Sequence, residues 1–156
     1  MTGVDISKKA LDVCKSNFPN INIVKNDIRN FNIEPNHFDL IMSRYVLHFL
    51  HKNDAISIVN DIKNNLKPDG LVYIVVFSTS DPSMKRKCNN PNFEIMGNNV
   101  FHNLSDDTYK SYFSKDEVLE LFSGFETVLV SDEYSLDLAH GEPHYHGTIK
   151  YIGRKV

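Results

Sequence analysis

Two acids in this sequence stand where a carboxylate could hold a nucleoside. Asp5 closes the stretch "TGVD", and Asp27 follows a short apolar run over residues 21–24. Each is followed by isoleucine, Ile6 and Ile28. In open α/β sheets, ligands sit outside the carboxyl ends of the strands. A carboxylate there can accept hydrogen bonds from both hydroxyls of a ribose, which suits Asp5. Asp27 can accept from the amino group of an adenine, and Ile6 and Ile28 can flank the purine. The competing use of such acids is local, as helix caps or turn formers. Two successive strands that both end in Asp-Ile favour the ligand.

A second group follows "FDLIMS". Ser43 and Arg44 face the same crevice, and Tyr45 and His48 come within the next turn, to line a substrate or to pack. A third group is "AHGEPHYHG", with His140, His144 and His146. On a strand, His144 and His146 point to one face, because side chains alternate. Two histidines on one face and a third from the turn resemble a metal ligand set. No cysteine or acid completes it at ligand spacing, although Glu142 is close. The expectation is therefore no metal, with His140 and His144 either structural or lining substrate. "MKRKC" groups Lys85, Arg86 and Lys87, either as a solvated loop or as a cationic lid. Neither Ser nor Cys occupies a nucleophile elbow, and no nucleophile–base–orienter set is evident. No catalytic residue is nominated.

The elements that must hold these residues are legible in outline. Residues 2–4 end a strand, and Ser7 can cap a helix with Ala10, Leu11, Cys14 and Phe18 on one face. "HFDLIMS" is mostly apolar, as in a strand buried on both faces. In the helix that follows, Ala55, Ile58, Val59, Ile62 and Leu66 recur at helical spacing. Asp54 is a cap, and Pro68, Asp69 and Gly70 form a stop. "LVYIVVFS" is another buried strand. Strand and helix alternate through this half, which predicts a parallel α/β sheet. Residues 79–105 show no period and read as a long loop. "SKDEVLELF" carries a capping box between Ser114 and Glu117. Two strands then flank a turn at Gly141, Glu142 and Pro143, and such neighbours pair antiparallel.

Bulk properties narrow the function classes. With 156 residues the chain suits one domain with a real core. Basic residues number 17 against 20 acidic ones, and no basic stripe runs along a helix, so nucleic acid is not an expected partner. No apolar run spans a bilayer and no export signal opens the chain, so no membrane partner is expected. The two cysteines, Cys14 and Cys88, sit in unrelated contexts, and a reduced, cytoplasmic protein is the simplest reading.

"TGVDISKKALDVCK", "NDIRNF", "FDLIMSRYVLHFL" and "LKPDGLVYIVVFS" follow one another in the order and spacing of class I S-adenosylmethionine-dependent methyltransferases, which this chain resembles. "YFSKDEVLELFSGFE" and "HGEPHYHGTIKYIGRK" resemble the tellurite-resistance and thiopurine-like branch. The resemblance implies a Rossmann-like, mostly parallel sheet with a C-terminal antiparallel hairpin. It implies S-adenosyl-L-methionine as cofactor and a small-molecule acceptor. Asp5 then matches the ribose acid, Ile6 its neighbour on adenine, Asp27 and Ile28 the pair at the adenine edge, and Ser43 and Arg44 the lining of the methionine portion. The family's first strand, glycine-rich loop and first crossover helix would precede Thr2. The expectation is thus a single domain over residues 1–156 that lacks its first βα unit, with an incomplete sheet open to pairing with a second copy. Such a chain either transfers methyl groups or survives as a non-catalytic binding or structural module. A nicotinamide-dependent oxidoreductase is a further alternative, because it too binds ribose through an acid after its second strand.

Overall fold

The computed structural model describes residues 1–31, 34–138 and 141–156. The chain divides into two compact units, Met1–Glu34 and Pro35–Val156.

The first unit is a βαβ element. β1 (Thr2–Asp5) and β2 (Asn22–Lys25) pair in parallel, from Thr2 opposite Asn22 to Asp5 opposite Lys25. α1 (Lys8–Asn17) connects them, and the Ser7 hydroxyl caps it by accepting from the Ala10 N–H at 3.3 Å, as predicted. The predicted apolar face is narrower than its spacing suggests. Leu11 is buried with Ile21, whereas Ala10 is exposed and Phe18 is 60% exposed. Phe18 sits in the C-cap with non-helical backbone, so its side chain leaves the helical face. A 3₁₀ turn (Ile28–Asn30) follows β2, capped by Asp27.

In the second unit β3 (Phe38–Arg44), α2 (Lys52–Asn65) and β4 (Leu66–Phe77) form another right-sized crossover, with β3 and β4 parallel. β8 (Phe125–Asp137) and β9 (His144–Lys155) form the predicted antiparallel hairpin, and β9 also pairs antiparallel with β4. The order is β3-β4-β9-β8. β3 is therefore an edge of this sheet. That corrects the expectation of a strand buried on both faces: Leu40 and Met42 are about half exposed. The centre of the sheet falls on β4, where Val72, Ile74, Val75 and Val76 are buried, and α2 packs on it through Ala55, Ile58, Val59 and Ile62.

Two further expectations are corrected. The cap of α2 is His51, whose Nδ1 accepts from the Asn53 N–H at 3.2 Å; Asp54 lies in the first turn, where its charge favours the helix dipole. α2 already ends at Asn65, and Pro68, Asp69 and Gly70 form an irregularity within β4, where pairing jumps from Phe38–Leu66 to Leu40–Leu71 and Asp69 adopts φ 63°.

The predicted loop over 79–105 is ordered. Asp81 caps α3 (Pro82–Cys88), which has proline at its first position. β5 (Phe93–Gly97), β6 (Val100–Asn103) and β7 (Thr108–Ser111) then form an antiparallel meander. Its strands are four or five residues long, too short for a period to show. Its turns are built by positive-φ residues, Gly97, Asn98, Asn99 and Asp107. Phe101 and Tyr112 bury against Phe77 of β4, with Met84 and Phe93 beside them. α4 (Lys115–Leu121) carries both halves of the predicted Ser114–Glu117 capping box. Among the described residues no helix is long and apolar enough to cross a membrane.

Candidate functional site

In the first unit, Asp5 and Asp27 stand at the carboxyl ends of two adjacent parallel strands, as predicted. Asp5 is exposed, and its Oδ1 accepts the Ser7 backbone N–H at 2.7 Å. That bond engages Oδ1, and among the described residues Oδ2 accepts no hydrogen bond. Ile6 is 67% exposed, an apolar surface beside the acid. Asp27 is more committed. It accepts the Arg29 N–H at 2.9 Å and a two-pronged contact from the Arg29 guanidinium, at 2.5 Å to Oδ2 and 3.1 Å to each oxygen. Those bonds hold its carboxyl below the usual range. Each oxygen thus already accepts two donors from Arg29, so an amine could bind only by displacing the guanidinium. Ile28 is half-buried in the 3₁₀ turn. The exposed acid and its bare apolar neighbour fit the ribose and purine of an adenosyl group.

In the second unit, β3 and β4 carry their carboxyl ends side by side, with Ser43 opposite Ile74 and Arg44 opposite Val75. Ser43 is half-buried and Arg44 exposed. The Arg44 guanidinium lies 5.8 Å from the Tyr45 ring centre. Tyr45 has φ 58°, a left-handed backbone that a bulky residue adopts at a cost, held by its N–H donating to the Val75 carbonyl at 3.0 Å. Such strain gathers at functional turns.

The next turn leads to an aromatic cluster at the end of β4. His48 is 1% exposed, more deeply buried than its sequence position suggests. It stacks on Phe77 at 4.0 Å between centres, with an interplanar angle of 4°. His146 stacks on Phe77 at 4.9 Å, and Tyr112 lies near-parallel at 6.2 Å. His48 Nδ1 is buried without a hydrogen-bond partner. Burial, with the nearby Lys110 cation adding to it, pushes His48 down to about 3, so it is neutral. The Lys110 ammonium sits 3.6 Å from the Phe49 ring centre and 4.7 Å from that of Phe77. Burial, with Lys87 adding to it, lowers Lys110 to about 8. Lys87, the last basic residue of "MKRKC", is not a solvated loop cation: it belongs to α3 and lies over Phe93 and Tyr112.

Asp81 organises the other side of the cluster. Its side chain is fully buried. Oδ1 accepts from the Ser83 N–H at 2.8 Å and the Ser83 hydroxyl at 2.5 Å. Oδ2 accepts from His146 Nδ1 at 2.9 Å and the Gly147 N–H at 3.0 Å. Burial alone would raise this carboxyl, but the bonds from Ser83, His146 and Gly147 outweigh it and hold it low. Position 147 must be glycine, because a Cβ would stand 2.5 Å from Ser80 Oγ and 2.6 Å from the Asp81 nitrogen. His144 and His146 do share a face, with their Nε2 atoms 2.9 Å apart. His140, the third predicted histidine, lies outside the described residues.

Sequence reasoning missed Asp81, Lys110, Tyr112 and Phe77 as site residues. "DPS" was a readable cap-and-proline signal for α3. Lys110 and Tyr112 gave none, because only the meander brings them to Phe77. A separate cleft of about 380 Å³ between α2 and α4 holds the Lys52–Glu117 ion pair and is lined chiefly by their solvent-facing residues.

Comparison with known proteins adds the family context. The methyltransferase domain family matches residues 1–70, less than half of the chain. No curated protein matches the sequence. Among solved structures, the chain is similar to TehB from Haemophilus influenzae at 19% identity and TM-score 0.72, covering 99% of this chain and 49% of that protein. It therefore spans about half of that relative's length. An S-adenosylmethionine-dependent methyltransferase from Methanosarcina mazei gives 16% identity and TM-score 0.74, covering 99% and 81%. The N-methyltransferase NodS from Bradyrhizobium japonicum, solved with S-adenosyl-L-homocysteine, gives 14% and 0.66, covering 99% and 65%. The chain has the Rossmann-like α/β fold of the S-adenosylmethionine-dependent methyltransferases, with a methyltransferase-domain match over its first 70 residues.

Proposed function

We propose that this chain binds S-adenosyl-L-methionine and belongs to an enzyme that transfers the methyl group to a small acceptor. The observation that carries this reading is the pair Asp5 and Asp27 at adjacent strand ends, inside the segment that matches a methyltransferase domain. Asp5 Oδ2 is available for ribose hydroxyls, and Ile6 offers the purine a bare apolar wall. We assign the C-terminal segment to the tellurite-resistance and thiopurine-like branch on "FSKDEVLELF" and the closing hairpin.

The cofactor, when bound, supplies an activated methyl group on a sulfonium. The chain's own residues contribute position rather than proton transfer. In the second unit, Phe77, Tyr45, Tyr112 and neutral His48 form one aromatic cluster, and the Lys110 cation beside it favours a ligand carrying negative charge. Alignment of reactants alone supplies much of the rate in such reactions. A soft anionic nucleophile needs no general base.

The test is equilibrium binding of S-adenosyl-L-homocysteine to the chain and to Asp5→Ala. Hydrogen bonds to a charged group contribute about 1.5–3 kcal/mol each. Losing the Asp5 carboxylate should therefore weaken binding by about 10- to 100-fold. Equal affinity in the two proteins would refute the ribose assignment. Saturable binding of a reduced nicotinamide cofactor, with none of S-adenosyl-L-homocysteine, would replace this reading with the oxidoreductase one.

A further inference from the structure

We propose that Asp137, His144 and His146 form a divalent-cation site of the zinc class on the β8–β9 hairpin. The acid that the sequence spacing did not supply comes from strand pairing, because Asp137 is the register partner of His144. One ligand atom from each of the three residues lies within 4.8 Å of the others. All three residues are half-buried, open enough for an ion to enter.

The hydrogen bonds behind the two rings set their tautomers. His144 Nδ1 lies 2.7 Å from the Glu142 carbonyl, which can only accept, so Nδ1 carries the proton. His146 Nδ1 lies 2.9 Å from the ionised Asp81 carboxylate, so it too is a donor. Each neutral ring then has its lone pair on Nε2. Those two lone pairs face each other at 2.9 Å. Two acceptors at that distance repel unless a cation or a proton lies between them. The Asp137 carboxylate, 3.8 Å from His146 Nε2, favours positive charge at the same point. Two imidazoles and a carboxylate are a zinc-type donor set, and three protein ligands leave a fourth position for water or an exogenous group. The partners behind the rings complete the pattern. A buried carboxylate and a backbone carbonyl hold the far nitrogens, as metal-bound histidines require. The site stands on these contacts alone and does not rest on the methyl-transfer reading.

The experiment is a titration of the chelator-stripped full chain with Zn²⁺ by calorimetry and with Co²⁺ by visible absorption. The expected result is one equivalent of metal and a d–d band of a four- or five-coordinate ion. His144→Gln and Asp137→Asn, which keep polarity and size, should each weaken binding at least about 10-fold while leaving the far-ultraviolet circular dichroism unchanged. His102→Ala, which removes the separate exposed contact with Glu94 and Asp107, should leave binding intact. Absence of any saturable metal binding would overturn the proposal and leave a shared proton between the two histidines. So would binding that survives both His144→Gln and Asp137→Asn, or that disappears in His102→Ala.

Discussion

Replacing Asp81 by asparagine should destabilise the protein by about 2–4 kcal/mol. The buried carboxylate accepts four hydrogen bonds: two from Ser83, one from His146 and one from the Gly147 backbone. Asparagine can keep its carbonyl towards Ser83, but its amide then meets two donors. His146 can respond by moving its proton to Nε2. The Gly147 N–H cannot respond, and a buried donor left unpaired costs about 1–3 kcal/mol. Downgrading the Ser83 bonds from charged to neutral adds about 1 kcal/mol. For a domain of this size, 1 kcal/mol moves Tm by about 2–4 °C, so the melt should fall by about 4–16 °C. Urea unfolding followed by circular dichroism measures the loss directly. The folded pKa of Asp81 is depressed, so its stabilisation is present above about pH 3.9, the unfolded value, and is lost as pH falls through the folded one. That part of the acid-side loss should vanish in Asp81→Asn. The same change lets His146 donate from Nε2 to His144 with no cation, and metal affinity should fall about 10- to 100-fold. A variant within about 0.5 kcal/mol of the parent at neutral pH would refute the account of this network.

Further outcomes can be checked on single variants. His48 has a depressed pKa, so stability should fall as pH drops from about 6.5, its unfolded value, towards about 3; His48→Phe keeps the stack on Phe77, removes an unpartnered Nδ1, and should flatten that slope in acid denaturation at little cost near pH 7. Glu117→Ala removes the partner of the buried Lys52 ammonium and half of the capping box, so it should cost about 3–5 kcal/mol by urea unfolding, while Glu117→Gln, which keeps the box, should cost less. Lys110, carbon-13 methylated and followed by nuclear magnetic resonance, should titrate near 8, below the ordinary lysine value of about 10.4.

The sequence carried the parts of this fold that depend on local rules. Ser7 and the Ser114–Glu117 box cap their helices because side-chain oxygens three residues from free N–H groups have few alternatives. The strand ends at Asp5 and Asp27 were legible because a parallel strand followed by a polar turn has a strong pattern. Burial of β3 was not legible. Apolar content does not say which side of a strand is paired, and Leu40 and Met42 lie at an edge. The meander was missed because four-residue strands carry no measurable period. The aromatic cluster at the end of β4 depends on it, since Lys110 and Tyr112 reach Phe77 only once β7 is paired. The Asp137–His144 juxtaposition likewise exists only through hairpin register, which residue spacing along one strand cannot reveal.

The central claim is that this chain holds the cofactor through its strand-end acids, and a thermal melt with and without saturating S-adenosyl-L-homocysteine tests it most directly. A ligand at about a hundredfold its dissociation constant adds about 2.7 kcal/mol, which should raise Tm by about 5–10 °C. The account predicts that rise in the parent and a clearly smaller one in Asp5→Ala. A cooperative melt that S-adenosyl-L-homocysteine leaves unmoved would contradict it.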